Sequence, residues 1–320
     1  VAAILFIVGL KMLGRQATAR RGNLISSAGM LIAIVVTLLD RQVIHLGWIM
    51  VGLTAGTVIG VACARLVKMT AMPEMVALLN GFGGLASLLV GAAEFLRMRS
   101  GQVSVGEPGF SAGAIFLTVA IGGGTFTGSL YAFCKLAEWL GGRPLFFRGQ
   151  QVVNAAMAAA TLGAGVVFVV SRDPTVALAA FGAFAGLGLV LGWTLVMPIG
   201  GGDMPVVISM LNSLSGVAAC AAGFVIRNNV LVVGGCLVGA SGIILTAIMC
   251  KAMNRSLANV LFSGFGAPRA AGGVAAAGSV QGELKPISAE NTFAVLEAAR
   301  QVVIVPGYGM AVSQAQHIVK

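Results

Sequence analysis

The sequence predicts an all-α polytopic membrane protein with about nine transmembrane helices, followed by the first elements of an α/β Rossmann-like domain. Composition is the first reason: apolar residues make up 58% of the 320 residues, charged residues only 9%, and the mean hydropathy is +0.98. A soluble domain carries roughly 25% charged residues. Long apolar runs also recur over about the first 250 residues, whereas the last twenty follow a different pattern.

Nine apolar spans are predicted along the first part of the chain. Most reach the ~17–25 residues that a helix needs to cross a bilayer, and we expect the first to be the remainder of a longer span. The spans are 1–13, 24–39, 46–66, 75–97, 112–134, 152–170, 176–197, 205–226 and 230–250. Residues 1–262 are therefore assigned to a transmembrane domain.

The basic residues indicate topology. A net charge of +10 would suggest nucleic acid binding in a soluble protein, but here the basic residues lie between spans, so no nucleic acid partner is expected. Eleven lie in odd-numbered loops or after span nine, and five lie in even-numbered loops. The eleven are Lys11, Arg15, Arg20, Arg21, Arg65, Lys68, Lys135, Arg143, Arg148, Lys251 and Arg255; the five are Arg41, Arg97, Arg99, Arg172 and Arg227. The positive-inside rule then places the N-terminus outside and the C-terminal domain in the cytoplasm.

The five cysteines predict neither a metal site nor a disulfide framework. They lie in or beside the apolar spans without paired spacing. Such cysteines usually behave as small buried hydrophobes.

A change in composition separates the spans from the C-terminal segment. Residues 263–287 are rich in Gly and Ala, which is typical of a flexible linker. Ser288 is a suitable N-cap for a helix that runs to about Arg300. Residues 288–320 are therefore interpreted as the start of a second domain.

A glycine motif follows that helix. The β-branched run Val302–Val305 predicts a strand, a Gly-Tyr-Gly turn comes next, and a helix-compatible run begins at Met310. This order favours a dinucleotide site, because the glycines let the backbone approach a pyrophosphate at a helix N-terminus. The candidate cofactor-binding residues are Gly307, Tyr308, Gly309, Met310, Ala311 and Val312. The acidic residue expected about 20 residues later would lie beyond Lys320, so these residues do not distinguish NAD from NADP.

Two spans begin with a Met-Pro pair beside an acid. Glu74 follows Met72-Pro73 in span four, and Asp203 precedes Met204-Pro205 in span eight. Such an internal repeat often places a transport site between two helices. The alternative is that both acids only favour helix N-termini electrostatically, which is worth about 0.3–1 kcal/mol.

An asparagine follows each proline by seven residues, at Asn80 and Asn212. Asparagine cannot titrate, but it can hold water or orient a neighbouring proton carrier; the alternative is that it only joins helices by hydrogen bonds. Ser209 and Ser213 lie beside Asn212. Beyond the spans, an Asp203–Arg255 ion pair would act as a switch, since surface pairs add little stability.

Four stretches together resemble the β subunit of the proton-translocating NAD(P) transhydrogenase family. They are MPEMVALLN (72–80), GGDMPVVISMLNS (201–213), CKAMNRS (250–256) and PGYGMAVSQAQ (306–316). The resemblance extends over the whole chain and includes the count of nine spans.

The resemblance implies an enzyme complex that couples hydride transfer between NAD(H) and NADP(H) to proton movement across the bacterial cytoplasmic membrane. NAD(H) would bind an α subunit, and NADP(H) would bind the cytoplasmic domain that begins here, at the glycine loop 307–312. The αβ unit would form a dimer in the lipid bilayer. No metal and no catalytic side chain on this chain are implied. The residues implied in proton conduction and coupling are Glu74, Asn80, Asp203, Ser209, Asn212, Ser213 and Arg255.

The chain departs from the family pattern at two positions. Many members carry a histidine, the proposed proton carrier, where this chain has Asn80, so we expect a partner membrane subunit to supply that histidine. Ser313 replaces the usual alanine, with little expected effect. Most of the NADP-binding domain would lie beyond Lys320, so the chain alone is expected to bind NADP poorly and to transfer no hydride.

Two rival functions share these sequence features. A secondary transporter or ion channel with a regulatory nucleotide domain would need no NAD-binding partner. A structural anchor for a soluble oxidoreductase would tolerate substitution of Asp203 and Asn212.

Overall fold

The computed structural model describes residues 1–39, 46–101, 108–140, 144–254, 256–261, 288–299 and 301–303. The chain divides into two units, Val1–Phe265 and Gly266–Lys320. Arg255, the linker 263–287 and the glycine loop 307–312 lie outside the described residues.

Long apolar helices build the first unit, as the hydropathy pattern predicts. The helices are α1 (Ala2–Leu13), α2 (Gln16–Leu39), α3 (Leu46–Leu66), α4 (Met72–Arg99), α5 (Pro108–Leu136), α6 (Gln150–Val170), α7 (Pro174–Val196), α8 (Met204–Val225), α9 (Asn229–Ala252) and the short α10 (Leu257–Leu261). Among the described residues, eight helices, α2 to α9, are long and apolar enough to cross a membrane, while α1 is shorter. The membrane class is therefore confirmed.

The N-terminus of α7 is capped by a side chain. Asp173 caps α7: its carboxylate accepts hydrogen bonds from the Thr175 backbone N at 2.8 Å and from Thr175 Oγ1 at 2.6 Å. These bonds, the side-chain one foremost, lower the pKa of Asp173 below its ordinary value. The cap therefore stabilises the fold above the ordinary carboxyl pKa, and that contribution is lost as the pH falls through the lowered value.

Glycine allows the central helices to touch through their backbones. A Cβ atom placed on Gly84 of α4 would lie 2.7 Å from the carbonyl oxygen of Gly122 on α5, and the reverse distance is also 2.7 Å. Gly188 and Gly192 on α7 pack in the same way against the backbone of α5, whereas Gly56 and Gly60 on α3 have no atom of the described chain within 4 Å of such a Cβ. The GxxxG pair on α7 therefore packs closely within the described part of the chain, whereas the pair Gly56/Gly60 on α3 does not.

Aromatic packing holds the half of the bundle that lies away from the Met-Pro motifs. Phe95 of α4 stacks on Phe181 of α7 with ring centroids 4.4 Å apart, and it meets Phe168 of α6 edge-on at 5.4 Å. Phe184 is fully buried among them. This cluster fixes α4, α6 and α7 relative to one another at the end away from the Met-Pro motifs.

The second unit contributes one described helix, α11 (Ala289–Ala298). Ser288 caps it as predicted, because its Oγ accepts a hydrogen bond from the Asn291 backbone N at 3.3 Å. Residues 301–303 follow without strand structure. The strand expected over residues 301–305 is therefore not seen in the part of this segment that is described, and the Rossmann-like start stays a prediction.

The Gly84 contact can be tested with a matched pair of alanine variants. In Gly84→Ala the new methyl group must displace the α5 backbone, and we expect a loss of about 1–3 kcal/mol in unfolding free energy. The control is Gly182→Ala on α7, where a Cβ meets no atom within 4 Å and the change should stay within about 0.5 kcal/mol. Unfolding midpoints in detergent report both, and equal midpoints would contradict the packing.

Candidate functional site

The two Met-Pro motifs adopt the same local structure. A single 3-10 turn precedes each helix: Met69–Ala71 leads into α4, and Gly201–Asp203 leads into α8. Proline lies in the first turn of both helices, where its missing N–H costs nothing. Each asparagine lies eight residues beyond the helix start, which places it about 12 Å along the axis.

Asn80 joins three helices. Its side chain is buried on α4, with 9% exposed, and its Nδ2 donates to Ser129 Oγ on α5 at 3.3 Å. Ser215 Oγ on α8 donates to the Asn80 carbonyl oxygen at 3.1 Å. The residue therefore does bridge helices, and it does so at a junction of polar groups inside apolar spans.

A second polar cluster joins α8 to α9. The carbonyl oxygen of Gly242 accepts from Thr246 Oγ1 at 2.8 Å and from Ser209 Oγ at 3.3 Å, and the two hydroxyl oxygens lie 3.1 Å apart. One turn further along α8, Ser213 Oγ donates to the Gly239 carbonyl at 2.7 Å. All three hydroxyl side chains are buried. Because Ser209 and Ser213 are four residues apart, they lie on one face of α8.

Asn212 lies between these two clusters on α8. Its side chain is half-buried and makes no hydrogen bond to any residue in the described part of the chain. An amide carries two donors and an acceptor that can bind water. The amide group of Asn212 can therefore bind water. It lies three residues before Ser215, which contacts Asn80.

Neither acid of the repeated motif caps its helix through its side chain. Asp203 occupies the N-cap position of α8, but its carboxylate makes no capping hydrogen bond. Glu74 lies half-buried in the first turn of α4, where Ala71 is the N-cap. As N-terminal charges, the two acids therefore act on their helices through the favourable interaction with the helix dipole.

Lys135 does not lie in a loop, as the sequence predicts, but inside the bundle. We counted it among the loop cations that set topology, but it lies in the last turn of α5 and only 2% of it is exposed. Its Nζ donates to the carbonyl oxygens of Ile199 at 2.6 Å and Met197 at 3.0 Å, just beyond the end of α7. Moving an ammonium group out of water costs several kcal/mol of free energy. The two carbonyl oxygens offset this cost because they replace part of its hydration.

The structure thus brings together part of the predicted site. Asn80, Ser209 and Ser213 take part in buried polar contacts between helices, with Ser129, Ser215 and Thr246 as partners that we had not predicted. Single hydroxyl side chains in apolar spans have no characteristic sequence spacing. Only their burial in the structure identifies them as partners in these contacts. Arg255 and residues 307–312 lie outside the described residues.

Comparison with known proteins identifies the family. The family described as "NAD(P) transhydrogenase beta subunit" matches residues 1–320. The chain belongs to this family. Two relatives described as "NAD(P) transhydrogenase subunit beta" come from Rhodospirillum rubrum, the second from a designated strain of that species. Each is 43% identical over 326 residues, which cover 100% of this chain and 68% of the relative.

Membership in the NAD(P) transhydrogenase beta subunit family confirms the resemblance drawn from the four stretches. It also makes the chain a member of an oxidoreductase family, in agreement with the predicted enzyme class. Eight membrane-length helices within the described residues agree with a membrane subunit.

A double-mutant cycle measures the Asn80–Ser129 contact. We expect Asn80→Ala and Ser129→Ala to be coupled by about 0.6 kcal/mol and by no more than about 1.7 kcal/mol, the average and the maximum found for side-chain hydrogen bonds between transmembrane helices. Equilibrium unfolding in mixed micelles provides the four free energies.

Ser241→Ala combined with Asn80→Ala is the matched control. Ser241 is exposed on α9 and its hydroxyl bonds only to the Val238 carbonyl of its own helix. Its coupling to Asn80 should be near zero, and an equal coupling in both cycles would contradict the contact.

Proposed function

We propose that this chain is the proton-conducting membrane part of a transhydrogenase that couples hydride transfer between NAD(H) and NADP(H) to proton translocation. The supporting observation is the set of buried polar contacts that joins α4, α5, α8 and α9 inside apolar spans, in a chain of this family. Polar groups at membrane depth are expensive and usually mark an ion or proton path.

The proton path we propose follows the inward faces of these helices. It runs past Asn80 with Ser129 and Ser215, past Asn212, and along the hydroxyls of Ser209 and Ser213. Amides and hydroxyls orient water but do not take up a proton at neutral pH. A titratable carrier must therefore come from elsewhere, and we propose a histidine of a partner membrane subunit at the depth of Asn80.

Coupling would occur at the cytoplasmic side, where the two helices of the repeated motif begin. Asp203 and Glu74 place negative charge there, and Arg255 follows α9. We propose that residues 1–262 form the translocating domain, that 263–287 act as the linker, and that 288–320 begin the NADP(H)-binding domain. In that domain, Gly307, Tyr308, Gly309, Met310, Ala311 and Val312 would bind the pyrophosphate.

The proposed partners follow from the assignment of NAD(H) and NADP(H) to different subunits. An α subunit would bind NAD(H), the αβ unit would form a dimer, and the complex would lie in a bacterial cytoplasmic membrane with the N-terminus outside. The description of the relatives as "subunit beta" supports a further subunit. Hydride would pass directly between the two nicotinamides, with no metal.

The mechanism we propose is conformational. Protonation beside Asn80 and Asn212 shifts α4, α5 and α8, and Asp203 with Arg255 passes that shift to the NADP(H) domain. Proton movement can drive hydride transfer only if the two states of the membrane domain differ in NADP(H) affinity.

Asp203→Asn tests this proposal in membrane vesicles that contain the complete complex with its α subunits. Reduction of an NAD analogue by NADPH is followed together with a pH-sensitive dye. We expect the wild type to show hydride transfer with proton movement, and Asp203→Asn to lose at least about tenfold in both, which is the effect of about 1.4 kcal/mol. Asn212→Cys should lower proton movement likewise.

Glu94→Gln is the matched control, because it is the same carboxylate-to-amide change in α4. Glu94, whose side chain is 14% exposed, pairs with the more exposed Arg97 at 3.1 Å near the end of α4 that lies away from Asp203. Because this pair lies outside the proposed path, the substitution should leave both signals unchanged. Ion flux without nucleotide oxidation would establish the transporter instead. Unaltered proton movement in both the Asp203 and Asn212 variants would contradict the role proposed for these two residues, whose tolerance to substitution is what the anchor hypothesis predicts.

A further inference from the structure

The buried ammonium of Lys135 is bound by backbone carbonyls and not by an acid. No carboxylate lies within ion-pair distance of Nζ in the described part of the chain. Two of its three N–H donors reach the carbonyls of Met197 and Ile199, and the ring of Tyr131 lies 5.3 Å away. The carbonyls at the end of a helix carry partial negative charge, so they suit a cation.

The carbonyls that bind Lys135 belong to the segment that leads to Asp203. Ile199 is itself almost fully buried, and the next carbonyl, that of Gly200, accepts a hydrogen bond from the Asp203 backbone N at 3.0 Å. One residue therefore separates the Lys135 contact from the turn that carries Asp203 and begins α8. Because this connection is short, we expect a displacement of Ile199 to move the turn that carries Asp203.

α5 also contacts Asn80, at the junction of polar groups that joins α4, α5 and α8. Ser129, which accepts from Asn80, precedes Lys135 by six residues, or about 9 Å of helix. One segment of α5 thus contacts the Asn80 junction at one end and, at the other, the residues that lead into the Asp203 turn. The end of α7 is also held by α6, because Gln150 Nε2 donates to the Thr194 carbonyl at 2.9 Å.

We propose that Lys135 is a positioning residue that transmits movement of α5 at the Asn80–Ser129 junction to the turn that carries Asp203. Its ammonium ties α5 to the carbonyls of Met197 and Ile199, so α5 and the start of α8 move together. This inference rests on the proposed function, since it assigns Lys135 to the coupling of proton movement to hydride transfer.

A purely structural role for Lys135 makes a different prediction. If the cation only stabilised the bundle, its loss would lower the amount of active complex, and hydride transfer and proton movement would fall by the same factor. A positioning role lowers the protons moved per hydride transferred in the complex that remains folded. The ratio of the two rates separates the two roles.

The experiment uses the complete complex in membrane vesicles, with both signals measured simultaneously. Lys135→Met keeps the length of the side chain and removes the charge and the donors; we expect the proton-to-hydride ratio to fall about 2- to 30-fold, the range for residues that carry coupling between sites. Lys135→Arg keeps a cation with several donors and should restore the ratio. Lys11→Met, in the last turn of α1 and exposed, should leave it unchanged.

The outcomes are distinct. An unchanged ratio in Lys135→Met, with both rates lowered equally, would overturn the positioning role. A wild-type complex with no hydride transfer would instead overturn the proposed function itself. If Lys135→Met is not recovered from the membrane, Lys135→Gln, which keeps a neutral donor of shorter reach, replaces it and the same ratio decides.

Discussion

Hydrocarbon offers no hydrogen-bond partner, and this constraint organises the membrane unit. Polar side chains inside the bundle donate to a carbonyl of their own helix, as Thr118 does, or pair with a neighbouring helix, as Asn80 does. Pairing between helices requires the helices to approach closely. Gly84 and Gly122 bring α4 and α5 into backbone contact. The Asn80–Ser129 hydrogen bond lies on the same helix pair, so close packing and polar pairing depend on each other.

The polar contacts that Asn80, Ser209 and Ser213 make between helices lie in one part of the bundle. α4, α5 and α8 meet at Asn80, and α8 meets α9 through Ser209 and Ser213. The half of the bundle away from the Met-Pro motifs is packed with phenylalanine side chains. A path for protons needs hydrated polar groups, whereas the rest of the bundle must exclude ions. Under the proposed function, the division between these two parts would give the membrane domain both properties.

Sequence predicted what depends on composition and on local chemistry. The span boundaries agree with the helices to within a few residues, except that α2 begins at Gln16 and not near residue 24, because its first turns contain basic residues that lower the hydropathy. Ser288 was predicted as a cap from its position alone. These features are local, so one stretch of chain is enough to determine them.

What the sequence could not predict depends on contacts between distant segments. The partners of Asn80 are 49 and 135 residues away along the chain. In the sequence, a serine that faces lipid cannot be distinguished from one that faces another helix. Lys135 shows the same limit, since a lysine at the end of a span is a topology signal unless the neighbouring helix end covers it. Burial, which the sequence does not contain, decides between the two interpretations.

The central claim is that a proton gradient and hydride transfer exchange free energy through this domain. The most direct test imposes a pH gradient on sealed vesicles that contain the complete complex and follows hydride transfer between NADH and NADP⁺. The account predicts that the rate changes when the gradient is imposed, reverses its response when the gradient is inverted, and loses the response when an uncoupler is added. A rate indifferent to the gradient would contradict it.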